Sequence, residues 1–492
     1  MAAASFHVSR AEGRVALAQD DSGTIRLVST APRDFEGLLA GRSPLEAVYL
    51  TQQISADSGV SHALAAVTAW ERAVGLNPPA NGILLRDLLH ALSLLHAHVR
   101  HFYLQALPDY IAAADLAAYR GSWPELQRIS RAVAAHSPAW AKAPGPHPFN
   151  AAQVDRLAES RLRAVRTLGV LQRMLALLGG KFPVAMSIVP GGCSVALSDA
   201  LLLRLRRYLA EARPFLDDQM FEDGLLVVQH YPRVKTLGGG SRGLLCAGTL
   251  GEDEGPTQSM VPAGAYIAGH LESFERAVTE SIARAYYRFP GGKAAPRALL
   301  QPAADKPGAY SWIKAPRFRG APMETGALAR LVITQVTGSR SHLGSVPADI
   351  EAALGASLEQ GNTVAGRMLS RLGEARLLTA RCAALLERLY PAQPAVAPDA
   401  AMFSADGVGV GDVEAPAGAV RHRLVLERGQ IASYDIITPS TWNGSPSDER
   451  GEPGPLEAAL NAGTLNLAER EGRLAASRIV HSFCFSMADA VH

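Results

Sequence analysis

Ile479-Val-His-Ser-Phe-Cys-Phe-Ser-Met-Ala-Asp-Ala-Val-His492 closes the chain. It holds one cysteine, Cys484, and two oxygen-bearing side chains three residues apart, Ser486 and Asp489. The chain has only four cysteines, Cys193, Cys246, Cys382 and Cys484, far apart and never in a C-x-x-C pair. That spacing fits neither a disulfide framework nor a thiolate metal cage. At 492 residues with 48% hydrophobic positions, the chain can bury a large core. A net charge of +2 gives no reason to expect nucleic acid or an anionic membrane surface as partner. No basic start leads into an apolar run, and no apolar stretch reaches the ~18 residues of a membrane span. The expectation is a soluble cytoplasmic protein.

Outward from the tail, the pattern alternates between strand and helix. Phe6 to Ser9, Arg14 to Ala18 and Thr24 to Ser29 are short strand-like runs between turns. His62 to Leu76, Gly82 to Gln105, Ala151 to Leu178 and Ser198 to Leu216 have helical apolar spacing. Pro232 to Pro262 reads as loops, Ala263 to Tyr287 as a helix, and Pro302 to Pro322 as irregular. Helices are expected again at Glu324 to Val336 and Pro347 to Tyr390. A hairpin then pairs Arg421 to Leu426 with Ile431 to Ile437 around Glu427-Arg-Gly429. The fold class is α+β, mainly helical, with a central bundle of long helices and strands from both termini that could pair. One unit over 1–492 is expected: an N-terminal strand region 1–60, a helical bundle 61–230, a loop-rich insertion with one helix 231–322, helices 323–390, and a hairpin and buried tail 391–492.

Several strings in this order resemble the nickel–iron hydrogenase large subunit. Ser9-Arg-Ala-Glu-Gly13 looks like its R-I-E-G turn, and Arg33-Asp-Phe-Glu36 with Leu39-Ala-Gly-Arg42 is similar to R-G-x-E…L-x-G-R. Gly179-Gly-Lys-Phe-Pro183 with Val189-Pro-Gly-Gly192 resembles G-G-K-x-P…P-G-G. Tyr310-Ser-Trp-Ile-Lys-Ala-Pro-Arg-Phe318, Met323-Glu-Thr-Gly-Ala-Leu-Ala-Arg330, Thr438-Pro-Ser-Thr-Trp-Asn443 and Gly454-Pro-Leu-Glu457 come in the family's order. The opening tail resembles its closing R-S-F-D-P-C-x-x-C-x-x-H.

The resemblance implies a nickel–iron centre held by four thiolates, because soft sulfur anions can bridge two metals and support low-valent states. Against R-I-C-x-x-C-x-x-x-H, Gln53-Ile-Ser-Ala-Asp-Ser-Gly-Val-Ser-His62 places Ser55 and Ser58 at the first two ligand positions. Ser486 and Asp489 fall at the other two. The positions around the centre change as well: Ala417 replaces an arginine, Ala97 a carboxylate, and Cys484 the aspartate ahead of the last pair. Glu12 and His62 match residues beside the centre, and Glu12 is left without an obvious partner. Glu36 and His492 match the side chains that hold a magnesium-type ion. The tail is therefore expected to thread into the core beside Ser55, Ser58 and Ala417.

Other signals carry less. His96, His98 and His101 do not share one helical face and read as packing residues. Gly238-Gly-Gly-Ser-Arg-Gly243 matches G-x-G-x-x-G by letter but has no preceding strand or following helix. Cys484 reads as a small buried hydrophobe.

Together these substitutions imply a degenerate paralogue of the HupK/HoxV maturation type, a non-catalytic scaffold for hydrogenase assembly that binds a maturation chaperone. No nickel–iron centre is expected; an iron fragment with diatomic ligands would have only Cys484 as a thiol. The alternative is a repurposed large subunit that pairs with an iron–sulfur small subunit. An active nickel hydrogenase is the reading the residues disfavour.

Overall fold

The computed structural model describes residues 4–29, 32–111, 121–124, 127–128, 131, 148–241, 243–251, 260–274, 278–289, 300–338, 342–397 and 400–490. The N-terminal runs form an antiparallel meander, β1 (Ala4–Val8), β2 (Val15–Gln19) and β3 (Ile25–Val28). Short helices α1 (Phe35–Leu39) and α2 (Pro44–Leu50) come next, the second closed by a Ser43/Glu46 capping box. Then come α3 (Gly59–Val74), α4 (Ala80–Arg100), α5 (Ala151–Gly179), α6 (Asp199–Pro214) and α7 (Met220–His230). Helix α4 is buried nearly all round, as its apolar circumference predicts, and π-helical turns extend it over His101–Ala106.

The insertion differs from the sequence expectation. Ala263 to Tyr287 is not a helix, and the loop before it contains a strand. Strands β4 (Gly243–Cys246), β5 (Gly264–Ile267) and β6 (His270–Glu272) form one sheet, and β7 (Val278–Ser281) pairs with β8 (Ala315–Phe318). Ala268 and Gly269 both take positive φ (50° and 89°), which closes the β5–β6 hairpin and breaks any helix there. Tyr266, Ile267, Val278 and Thr279 then lie on strands, which suit β-branched and aromatic side chains.

Helix α8 (Ala327–Val336) appears as expected, but Pro347 to Tyr390 divides into α9 (Val346–Leu354) and α10 (Val364–Arg388). The second is capped by Thr363, whose hydroxyl accepts from Gly366 N–H. The C-terminal hairpin is a three-stranded meander, β9 (Gly407–Ala415), β10 (Gly418–Glu427) and β11 (Gln430–Ile437). Its first strand begins Gly-Val-Gly-Val-Gly. A Cβ on Gly407, Gly409 or Gly411 would sit 2.1, 1.8 or 1.9 Å from the carbonyl oxygens of Ala73, Ala69 and Ala65. The three glycines thus let the strand lie directly on one face of α3.

The terminal strands do not pair: β1–β3 and β9–β11 are separate sheets. The termini meet through helices instead. After α11 (Pro439–Asn443), α12 (Pro455–Asn461) docks on β3, where the Glu457 carboxylate accepts from Leu27 N–H at 3.0 Å. Helix α13 (Arg470–Ser482) runs beside β1, and the tail ends in a turn, Met487–Ala490. One hydrophobic cluster runs from Phe6 to Ala490 and holds β1, α3, α4, α10 and the tail together.

Candidate functional site

The tail enters the core, as expected. Arg33 fastens it to the turn after α2, donating to the carbonyls of Ile54 (2.5 Å), Gln53 (2.8 Å) and Ala488 (2.9 Å). Met487 N–H donates to the Glu12 carbonyl at 2.9 Å. Gly13 makes that approach possible: with φ +73° it faces Ala488 N, which a Cβ would meet at 2.8 Å.

Ser55, Ser58, Ser486 and Asp489 line one pocket, together with Glu12, Ala417 and Cys484. The space left is about 10 Å³, the room one water needs. Glu12 organises it, contrary to the expectation that it would lack a partner. Its Oε2 accepts from the hydroxyls of Ser55 (2.6 Å) and Ser486 (2.8 Å), and its Oε1 from Ala56 N–H (2.8 Å). Both serines therefore stand as neutral hydroxyls that donate to a carboxylate. Ser486 Oγ in turn accepts from Asp489 N–H at 3.1 Å, and Ser440 Oγ accepts from Ser486 N–H at 3.2 Å.

Asp489 is held separately. Its carboxylate lies 3.1 Å from His62 Nε2 and accepts from Ser440 N–H at 3.3 Å. His62 Nδ1 is 2.9 Å from His422 Nε2, and His422 Nδ1 is 2.9 Å from the Tyr434 hydroxyl. One proton assignment satisfies the row: Tyr434 O–H donates to His422, His422 Nε2–H to His62, and His62 Nε2–H to Asp489. All four groups are buried. His62 thus ties the tail to β10 and β11.

Sequence reasoning missed Asp57, Arg100 and Ser440. Asp57 takes a two-pronged contact from Arg100, with Nε to Oδ1 at 2.8 Å, and burial pushes its carboxyl upward despite that partner. Asp57 stands between Ser55 and Ser58, and Arg100 within His96-Ala-His-Val-Arg-His-Phe-Tyr103, so both lay inside strings already singled out. Cys484 takes positive φ (54°), and burial pushes its thiol up to about 11, so it is protonated at neutral pH. Ala97 is buried on α4 but does not line the pocket.

The three helix histidines do not converge. His96 lies 3.1 Å from Gln172 Nε2 with its ring edge-on to Phe182; His98 bonds the Glu374 carboxylate at 2.7 Å; His101 faces another cavity. The Gly238 to Gly243 string runs into β4, whose first residue is Gly243, so the strand comes after it. Glu36 is occupied by Lys314, whose Nζ lies 2.8 and 2.9 Å from its two carboxylate oxygens, and its Oε1 also accepts from Ile436 N–H at 2.8 Å. His492, the expected partner of Glu36, lies outside the described residues. Among the described residues, no group of three or more His, Cys, Asp or Glu is arranged to hold a metal ion.

The family profile described as nickel-dependent hydrogenase matches residues 33–141 and 154–492. The chain belongs to the nickel-dependent hydrogenase family. It is 26% identical to the periplasmic NiFeSe hydrogenase large subunit of Desulfomicrobium baculatum, covering 94% of this chain and 88% of that one. It is also 26% identical to the hydrogenase-2 large chain of Escherichia coli K12, over 99% of this chain and 96% of that one. The solved Ni-Fe-Se hydrogenase from D. vulgaris Hildenborough superposes with a TM-score of 0.84, at 23% identity, over 99% of both chains. That likeness carries the hydrogenase large-subunit fold over the full described length.

Proposed function

We propose that this hydrogenase-family chain has lost the nickel–iron centre and works as a non-catalytic scaffold in hydrogenase assembly. The observation that carries the reading is the Glu12 carboxylate, which accepts from two of the four former ligand side chains. A nickel–iron pair needs bridging anionic sulfur. This donor set offers neutral hydroxyls, a carboxylate already held by His62, and one protonated thiol. The residues present do not fit that group, and no catalytic step is derived through it. Nor does Glu36 stand free for a magnesium-type ion, since the Lys314 ammonium already neutralises it.

In this reading the protein offers a large-subunit surface to a maturation chaperone in the cytoplasm without owning a metal. The four cysteines, all unpaired, accord with a reducing compartment. No helix among the described residues is long and apolar enough to cross a membrane. A second reading is a large-subunit-like component paired with an iron–sulfur small subunit; the length matched to chains named as large subunits favours it.

Elemental analysis of the purified protein, with infrared spectra in the region of metal-bound cyanide and carbonyl, tests the common part. Sub-stoichiometric nickel and iron with no diatomic bands are expected, and stoichiometric nickel overturns both readings. Affinity isolation from the native host separates them: a maturation chaperone supports the scaffold, and a stoichiometric iron–sulfur subunit the alternative.

A further inference from the structure

Behind the tail, a small cavity lies between the end of α4, α10 and α13. Arg371, Arg478, His101, Asp109, His481 and Ser482 are among its lining residues. It measures about 10 Å³, enough for one water-sized species. Arg371 is only 4% exposed; its Nη1 donates to the Ser482 carbonyl at 3.2 Å, and its Nε has no partner. No carboxylate among the described residues pairs with it. Its neighbours on α8 and α10 differ in this respect: Arg367 binds Glu324 at 2.8 Å and Arg330 binds Glu374 at 2.5 Å.

The rest of the lining adds charge of the same sign. Arg478 donates to the Asp109 carbonyl at 2.8 Å and lies over the Tyr110 ring. His481 has Asp109 Oδ2 at 2.6 Å from one ring nitrogen and the Ser9 carbonyl at 3.0 Å from the other. Asp109 is the one carboxylate on the lining, and it is shared with Arg10. Two guanidinium groups, those of Arg371 and Arg478, therefore line the space with one carboxylate, and the lining residue His101 has an Nε2 without a hydrogen-bond partner.

We propose that this cavity is a binding site for one halide-sized anion, held by Arg371 Nε–H with the charge of Arg478 behind it. A buried guanidinium is costly unless a counter-charge accompanies it. A water there would satisfy the Nε–H but leave the charge uncompensated. The cavity is too small for phosphate, sulfate or a carboxylate ligand, which fixes the class as monatomic.

The test uses the full chain in chloride-free buffer, titrated with sodium chloride or bromide against sodium gluconate at constant ionic strength. The unfolding midpoint is expected to rise with the logarithm of halide concentration and not with gluconate. Arg371→Met should abolish that slope. Equal responses to halide and gluconate, or an unchanged slope in Arg371→Met, overturn the site. If the variant does not fold, bromide-edge anomalous diffraction on the wild type decides: a peak in contact with Arg371 Nε supports the site, and a water there at bromide saturation overturns it.

Discussion

Replacing Glu12 with alanine attacks the pocket at the group that organises it. The substitution leaves the Ser55 and Ser486 hydroxyls and the Ala56 N–H without their acceptor. Hydrogen bonds to a charged partner contribute roughly 1.5–3 kcal/mol each, which sets an upper figure of about 9 kcal/mol for three. Glu12 is half-buried, the hydroxyls can turn, and water can enter the vacated space, so the realised loss falls to about 2 kcal/mol. That loss is local. It falls on the tail, whose amides at Ser486, Met487 and Asp489 bond Ser440, Glu12 and Ser486 in turn.

Hydrogen exchange under native conditions reads this directly, because a loss of about 2 kcal/mol raises local opening roughly 30-fold. The amides of residues 486–489 should exchange roughly 30-fold faster in Glu12→Ala, while those in the middle of α4 keep wild-type rates. Glu12→Gln retains an acceptor oxygen and should show a rise of under about tenfold. Tail amides within twofold of wild type in Glu12→Ala would refute the claim that Glu12 holds the tail.

The same geometry gives four further outcomes. Lys314→Ala leaves Glu36 and Glu280 facing each other without a cation, should cost about 3–5 kcal/mol by thermal unfolding, and should regain part of that with magnesium, whereas a chelator should leave the wild-type midpoint unmoved. Burial raises the Glu457 carboxyl to about 7, so the folded state binds more protons than the unfolded one between pH ~4.5 and 7; stability from this group is present below that window and lost as pH rises through it, and Glu457→Gln should stabilise the protein at pH 8 by about 1–3 kcal/mol with little effect near pH 4. Gly409→Ala drives a methyl to 1.8 Å from the Ala69 carbonyl oxygen and should cost about 3 kcal/mol or more, seen as a lower thermal midpoint or loss of soluble yield. Changing Ser55, Ser58, Ser486 and Asp489 together to cysteine should create stoichiometric tetrahedral zinc or nickel binding, measured by metal titration, that the wild type lacks.

The helices were legible where periodicity met a stop. His62 to Leu76 ends before Asn77-Pro78-Pro79, and α4 keeps its apolar circumference, so both lie within a few residues of their expected bounds. Ala263 to Tyr287 failed because short strands carrying Ala, Ile and Tyr can imitate a helical repeat, and only the Ala268-Gly269 turn separates the alternatives. Strand β9 was missed for a different reason: glycine is depleted in strands, and its alternation here serves an approach to α3 that one strand cannot reveal alone. Both errors concern long-range contacts, which periodicity does not encode.

At the pocket, sequence reading named Ser55, Ser58, Ser486 and Asp489 but not the hydrogen bonds that gather three of them. Four thiolates around two metals bind one another through the metal. In the proposed reading these places need a different centre, and three of them, Ser55, Ser486 and Asp489, have one. Glu12 gathers Ser55 and Ser486, while the row His62–His422–Tyr434 gathers Asp489. The parts come from β1–β2, α3, β10, β11 and the tail, hundreds of residues apart, so no local string shows them as partners. A chain that merely lost its ligands would leave buried hydroxyls and a buried carboxylate without partners, each costing about 1–3 kcal/mol. Here Ser55, Ser486 and Asp489 are each partnered, and those hydrogen bonds hold the tail in its place in the core.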